Sequence, residues 1–211
     1  MGAALESVPS DVEILGLALP GRERCFLEPS GCTLDDVLAS AHRELARPGV
    51  QTALFGHSPG ALLAFHVAGV LGAGCKALVI GGQVPRGCRA VLEAQTTEQL
   101  HEVLLAGGGT TPEVMENPVL LRAVTKALSA DVALGREASA ADASLRTRVP
   151  LFVLAAQDDP LAPREQMAEW AERTTAECRV LDLRGGHFAL LAPENRHTVA
   201  DALRQALEYA G

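Results

Sequence analysis

The sequence predicts an α/β protein in which a mostly parallel sheet is flanked by helices. Two observations carry that expectation: segments rich in Val, Ile and Leu alternate with helix-patterned stretches, and Pro-Gly or Gly-Gly pairs close several of the apolar segments. The 211 residues, 48% of them hydrophobic, suffice for one domain with a sizeable core. A net charge of −8 without a basic cluster argues against a nucleic-acid face or an anionic membrane surface. No apolar run reaches the roughly 18 residues of a membrane span, and the opening MGAALESVPSDVE lacks the basic flank and apolar stretch of a signal peptide. A cytoplasmic location is therefore expected. The five cysteines (Cys25, Cys32, Cys75, Cys88 and Cys178) are odd in number and show neither a CxxC pair nor zinc-type spacing. Reduced, packed thiols are expected, with no metal and no cofactor.

Val12–Leu19 (VEILGLAL) reads as a buried strand stopped by Pro20-Gly21. Thr33 is placed to cap a helix running to about Arg47, with Asp35 and Asp36 at its positive end, and Pro48-Gly49 terminates it. Gln51–Phe55 is a short apolar strand, and Gly60–Leu71 is a nearly all-apolar helix, so both are expected to be buried. Ala77–Ile80 is the next strand. From Gln83 to Val149 helical stretches replace strand pattern, notably Thr97–Ala106 and Val119–Leu134, which suggests a helical lid over about 83–149 inserted in the sheet. Sheet pattern resumes at Leu151–Ala155 and Cys178–Leu183, with helices near Pro163–Arg173 and Asn195–Tyr209.

Between the second predicted strand and its helix stands Gly56-His57-Ser58-Pro59-Gly60, a G-x-S-x-G elbow. Such a turn lifts the serine hydroxyl above the sheet, and its glycines avoid collisions across the turn. A serine hydroxyl needs a base to take its proton, so a histidine must come from elsewhere in the fold. Of six histidines, His42, His66, His101 and His197 fall in or at predicted helices, and His57 is expected to face away from the serine. His187 follows the last strand on a Gly-Gly loop at the carboxyl edge of the sheet, where sites of open parallel sheets form. It is the candidate base. The acid that orients it should follow the strand LFVLAA, where Asp158 and Asp159 stand; Asp159, directly before Pro160, is preferred. Asp131, Asp142 and Asp182 are alternatives. The chain order Ser58, Asp159, His187 is that expected of an α/β-hydrolase.

The chain resembles the type II thioesterases that accompany nonribosomal peptide and polyketide synthases. The similarity covers nearly the whole length and rests on LPGRERCFLEP (Leu19–Pro29), ALFGHSPGALLAF (Ala53–Phe65), GGTTPEVMENP (Gly108–Pro118), DDPLAPREQMAEW (Asp158–Trp170) and GGHFALL (Gly185–Leu191). The resemblance implies hydrolysis of acyl groups from the phosphopantetheine arm of an acyl or peptidyl carrier protein. In it Ser58 is acylated, His187 acts as base and then acid, and Asp159 holds His187. Arg22, Arg24, Arg86 or Arg89 would supply local cations for an acidic carrier.

Two departures from that family stand out. Its members open with a strand and an F-P-x-A-G-G loop that contributes one oxyanion donor, and this sequence is expected to lack both, leaving an N-terminally shortened sheet. An exposed edge there would invite pairing with another chain. The second donor is normally the N–H after the nucleophile, where this sequence has Pro59, which owns none. Two other readings therefore remain open. One is a non-hydrolytic cyclase, dehydratase or isomerase using Ser/His acid–base chemistry, and the other is a noncatalytic carrier-binding protein.

Overall fold

In the computed structural model the described residues are 8–21, 25, 27, 28, 31–141 and 144–210. Among the described residues the first α-helix, α1 (Leu34–Leu45), starts where the sequence places its cap. Thr33 accepts from the Asp36 backbone N–H, and the Asp36 side chain accepts from the Thr33 N–H, so each closes a donor the helix start would leave open. Strands β1 (Thr52–His57), β2 (Cys75–Gly81), β3 (Leu151–Ala156) and β4 (Cys178–Leu183) form one parallel sheet in the order β1-β2-β3-β4. Gly56 lies beside Ile80, Leu78 beside Leu151 and Ala155 beside Asp182. Each strand runs one to three residues longer than its apolar core suggests or stops within one residue of it.

One expected strand does not form. Residues 13–19 carry no regular structure, and Ile14, Leu15 and Leu17 are about half exposed. An apolar run becomes a strand only where a neighbour offers a hydrogen-bonding ladder. Among the described residues the outer edge of β1 has no such partner.

Alternating side chains along the strands feed two cores. On one face Leu78, Ile80, Leu151 and Val153 meet Leu62 and Phe65 of α2 (Pro59–Leu71), together with Trp170 and α1 residues Leu34 and Val37. On the other face Val79, Phe152 and Leu154 pack against Val199, Ala202 and Ala206 of the last helix, Arg196–Glu208. Because α2 is covered on nearly every side, it tolerates no polar stripe; its one buried histidine, His66, is satisfied at 2.7 Å by the Ala138 carbonyl.

The stretch expected to form a lid is a helical insertion between β2 and β3. It holds α3 (Arg89–Leu92), α4 (Thr97–Gly107), α5 (Pro112–Glu116) and the long α6 (Pro118–Ala140). α6 outruns the expected Val119–Leu134 at both ends: Asn117 caps its start by accepting from Val119 and Leu120 N–H groups, and Ala138 anchors its end on His66. A small apolar cluster of Ala94, Leu100 and Val132 joins these helices. The helix expected near Pro163–Arg173 is split into α7 (Arg164–Met167) and a tighter 3-10 segment, Ala168–Arg173. The tightening seats Trp170, fully buried, so that its indole N–H donates to the Gln83 carbonyl at 2.7 Å.

Candidate active site

Three loops at the carboxyl ends of the strands build the site. At the end of β1 the chain reverses sharply into α2, and Ser58 takes φ 53° and ψ −130°. It is the one non-glycine residue with positive φ among the described residues. That strain is held by its neighbours: the Ser58 N–H donates to the Gly81 carbonyl at 2.9 Å, and its own carbonyl accepts from Ala61 at 2.9 Å. Gly56 is required by the turn, since a Cβ there would lie 2.2 Å from the Gly60 carbonyl oxygen.

The second loop follows β3. Asp159 is 4% exposed, and its Oδ1 accepts the N–H groups of Leu161 at 2.9 Å and Ala162 at 3.2 Å. Its Oδ2 lies 2.9 Å from Nδ1 of His187. Burial pushes the Asp159 carboxyl up, but the His187 hydrogen bond and charge, together with the two amides, more than offset it and hold the group below the usual carboxylate range. Asp158 is exposed and contributes a backbone N–H to the Gly185 carbonyl at 3.0 Å. Of the other aspartates, Asp182 pairs with Arg164, and Asp142 lies outside the described residues.

The third loop, 184–189, follows β4 and presents His187, which is 6% exposed. His187 Nε2 stands 3.0 Å from Ser58 Oγ. The tautomer that satisfies both contacts carries its proton on Nδ1, donates it to Asp159, and accepts from the Ser58 hydroxyl. Ser58, His187 and Asp159 thus form one continuous hydrogen-bonded line, and the serine and histidine come from positions 129 residues apart.

Two further residues shape this line without an obvious sequence signal. Buried Asn195 ties the histidine loop: its Nδ2 donates to the Arg184 and Ala189 carbonyls, both at 2.8 Å, and its Oδ1 accepts the Arg184 N–H at 3.0 Å. Asn195→Ala leaves those groups unpaired in the interior, and urea unfolding should show a loss of about 1–3 kcal/mol. His57 lies with its ring centroid 4.9 Å from that of His187 and 5.6 Å from that of Phe188. Both of its ring nitrogens are buried without a hydrogen-bond partner.

Burial first, then the neighbouring His187, lowers the His57 pKa to about 4, with Asp159 partly opposing. The unfolded chain therefore binds a proton near pH 6.5 that the folded chain does not take up until about pH 4. Stability from His57 is complete above pH 6.5 and is lost as pH falls toward 4. Between pH 7 and pH 5 it should account for a loss of about 2 kcal/mol in urea unfolding. That part of the pH dependence should disappear in His57→Phe.

Residues 107–109 of the insertion pack against the histidine loop. Gly109 lies so close to the Phe188 ring that a Cβ there would sit 2.0 Å from it, and Gly107 faces the His187 ring. A cavity of about 390 Å³, lined by Arg86, Arg146, Glu169 and Arg173 among others, includes none of the three aligned residues.

The thioesterase domain family matches residues 4–207. The chain belongs to that family. Among related thioesterases, the "Probable cadicidin biosynthesis thioesterase" of Streptomyces griseus is 32% identical over 189 residues, which cover 84% of this chain and 51% of the relative. This thioesterase-family chain therefore spans about half the length of that relative. Thioesterase PikA5 of Streptomyces venezuelae is 29% identical over 88% of this chain and 68% of its own. Among solved structures, the RedJ thioesterase of the prodiginine pathway in Streptomyces coelicolor superposes with TM-score 0.79 at 25% identity, covering 97% of this chain and 85% of that one. The type II thioesterase BorB of the borrelidin cluster gives TM-score 0.71 at 27% identity, covering 90% and 79%. The fold of these neighbours is the α/β-hydrolase fold, and the parallel sheet flanked by helices described above is its form in this chain.

Proposed function

We propose that this chain is a type II thioesterase that releases acyl groups from the phosphopantetheine thioester of an acyl or peptidyl carrier protein in secondary-metabolite assembly. The observation that carries the reading is the hydrogen-bonded line Ser58–His187–Asp159 at the end of a parallel sheet in a thioesterase-family chain. His187 takes the Ser58 proton as Oγ attacks the thioester carbonyl, and Asp159 stabilises the imidazolium and keeps its tautomer. The relatives' names support a role in secondary-metabolite assembly: the cadicidin, prodiginine and borrelidin pathways all appear among them.

In this reading residues 83–149 form the lid of a single catalytic unit, which Gly107 and Gly109 pack against His187 and Phe188. Exposed Arg86, and Arg89 in its pair with Glu93, are the candidate carrier contacts on the described surface, while Arg22 and Arg24 lie outside the described residues. No helix among the described residues is long and apolar enough to cross a membrane, which accords with a proposed cytoplasmic setting. Pairing of two chains through the open edge of β1 is the corresponding proposal for oligomeric state, read by size-exclusion chromatography across a concentration series.

The test is product analysis with an acyl-loaded carrier protein. Free carboxylic acid appearing together with the free carrier thiol is expected. A cyclised or dehydrated product without free acid would instead favour the non-hydrolytic reading, for which Pro59 beside the nucleophile is the specific observation. Carrier binding with no chemistry would favour the noncatalytic one.

A further inference from the structure

Pro59 is the first residue of α2, directly after Ser58. In a strand–serine–helix turn of this kind the N–H of that residue is one of the donors that meet the developing oxyanion, and proline has no N–H to give. The Ala61 N–H is already engaged by the Ser58 carbonyl, so Gly60 is the next backbone donor along the helix.

The two halves of the proposed reaction do not suffer equally. In the first, Ser58 Oγ bonds to the thioester carbonyl carbon, the C–S bond breaks, and the thiol leaves with the proton that His187 took from Ser58. Thioester carbonyls are poorly stabilised by resonance, and a thiol ionises near pH 8.5, so the tetrahedral intermediate forms readily and collapses forward with modest help. In the second, water loses a proton to His187 and bonds to the acyl carbon. The C–Oγ bond then breaks, and Ser58 recovers its proton from His187 as the acid departs. Here the electrophile is an ordinary oxygen ester and the leaving group is an alkoxide. This half leans hardest on oxyanion stabilisation.

We infer that Pro59 makes deacylation the slow step of this chain, so that acyl-Ser58 accumulates during turnover and the protein acts as a slow hydrolase selective for thioesters over oxygen esters. The inference rests on the thioesterase reading above and assigns to Pro59 a rate- and specificity-determining role.

The test uses the whole chain and Pro59→Ala, with an acyl-N-acetylcysteamine thioester and the ethyl ester of the same acid. For wild type the expected results are a burst of thiol near one equivalent, an acyl adduct on Ser58 by intact and peptide mass, and little cleavage of the ethyl ester. Pro59→Ala regains a backbone donor. It should raise steady-state turnover about 10²–10³-fold, abolish the burst and gain most on the ethyl ester. Thermal denaturation of both proteins establishes that the variant is folded. Wild-type turnover without burst or adduct, or a folded Pro59→Ala variant with unchanged turnover and ester selectivity, would overturn the inference. Absence of thiol release and of adduct in both proteins would refute the thioesterase reading itself, and with it the role of Pro59.

Discussion

Ser58→Ala should reduce carrier-thioester hydrolysis by about 10³–10⁴-fold. The size of that drop is itself informative. Removing the nucleophile of a fully equipped serine hydrolase costs about 10⁶ in turnover, because the histidine and acid have no function without it. Here Pro59 has already removed one backbone donor, a loss worth about 10²–10³, so the wild type starts lower and the interval to Ser58→Ala narrows. Fold is not at issue, since Ser58 is held by its backbone bonds to Gly81 and Ala61 and alanine retains both. The strained φ of 53° persists in the variant, so its melting temperature should stay near that of wild type. Acyl release measured by mass spectrometry from a loaded carrier gives the ratio.

Asp159→Asn should lower turnover by about 10⁴-fold while leaving the architecture in place. Asn can still accept the Leu161 and Ala162 N–H groups through its Oδ1, so the loop after β3 keeps its shape. What changes is the face turned to His187. An amide N–H there must meet an unprotonated Nδ1, which forces the imidazole proton onto Nε2, where it points at Ser58 Oγ and cannot accept from it. The base is then blocked by its own proton. The substitution also removes the carboxylate that is held below its ordinary range. A group lowered in this way contributes stability above its unfolded value of 3.8 and loses it as pH falls through the folded one. Asp159→Asn should therefore unfold with a shallower pH dependence below about pH 4 than wild type. Steady-state kinetics and acid unfolding followed by circular dichroism check the two halves of the prediction.

Features legible in the sequence were those whose cause is local. The elbow needs Gly56, Ser58 and Gly60 within five residues, the capping box needs Thr33 and Asp36 three apart, and an all-apolar α2 declares its burial by composition. The places of Asp159 and His187 could be read because each follows a strong strand signal, and strand ends share one edge of a parallel sheet. Features set by distant partners were not legible. Val12–Leu19 has the composition of a strand, but a strand exists only by pairing, and the sequence does not say what stands beside it. The tight 3-10 turn around Trp170 follows from the Gln83 carbonyl that receives its N–H, 87 residues away. Asn195 looks like an ordinary residue before a helix until the Arg184 and Ala189 carbonyls are seen to converge on it. His57 reads as a neighbour of the nucleophile, while its packing against His187 depends on the return of a loop from the far end of the chain.

In the proposed reaction Ser58 is a nucleophile activated by His187. Reaction with a serine-directed fluorophosphonate, followed by peptide mass mapping, tests it most directly. One adduct per chain is expected, located on Ser58 and formed far more slowly in His187→Ala. A folded protein that carries no adduct at Ser58, or one labelled equally fast without His187, would contradict it.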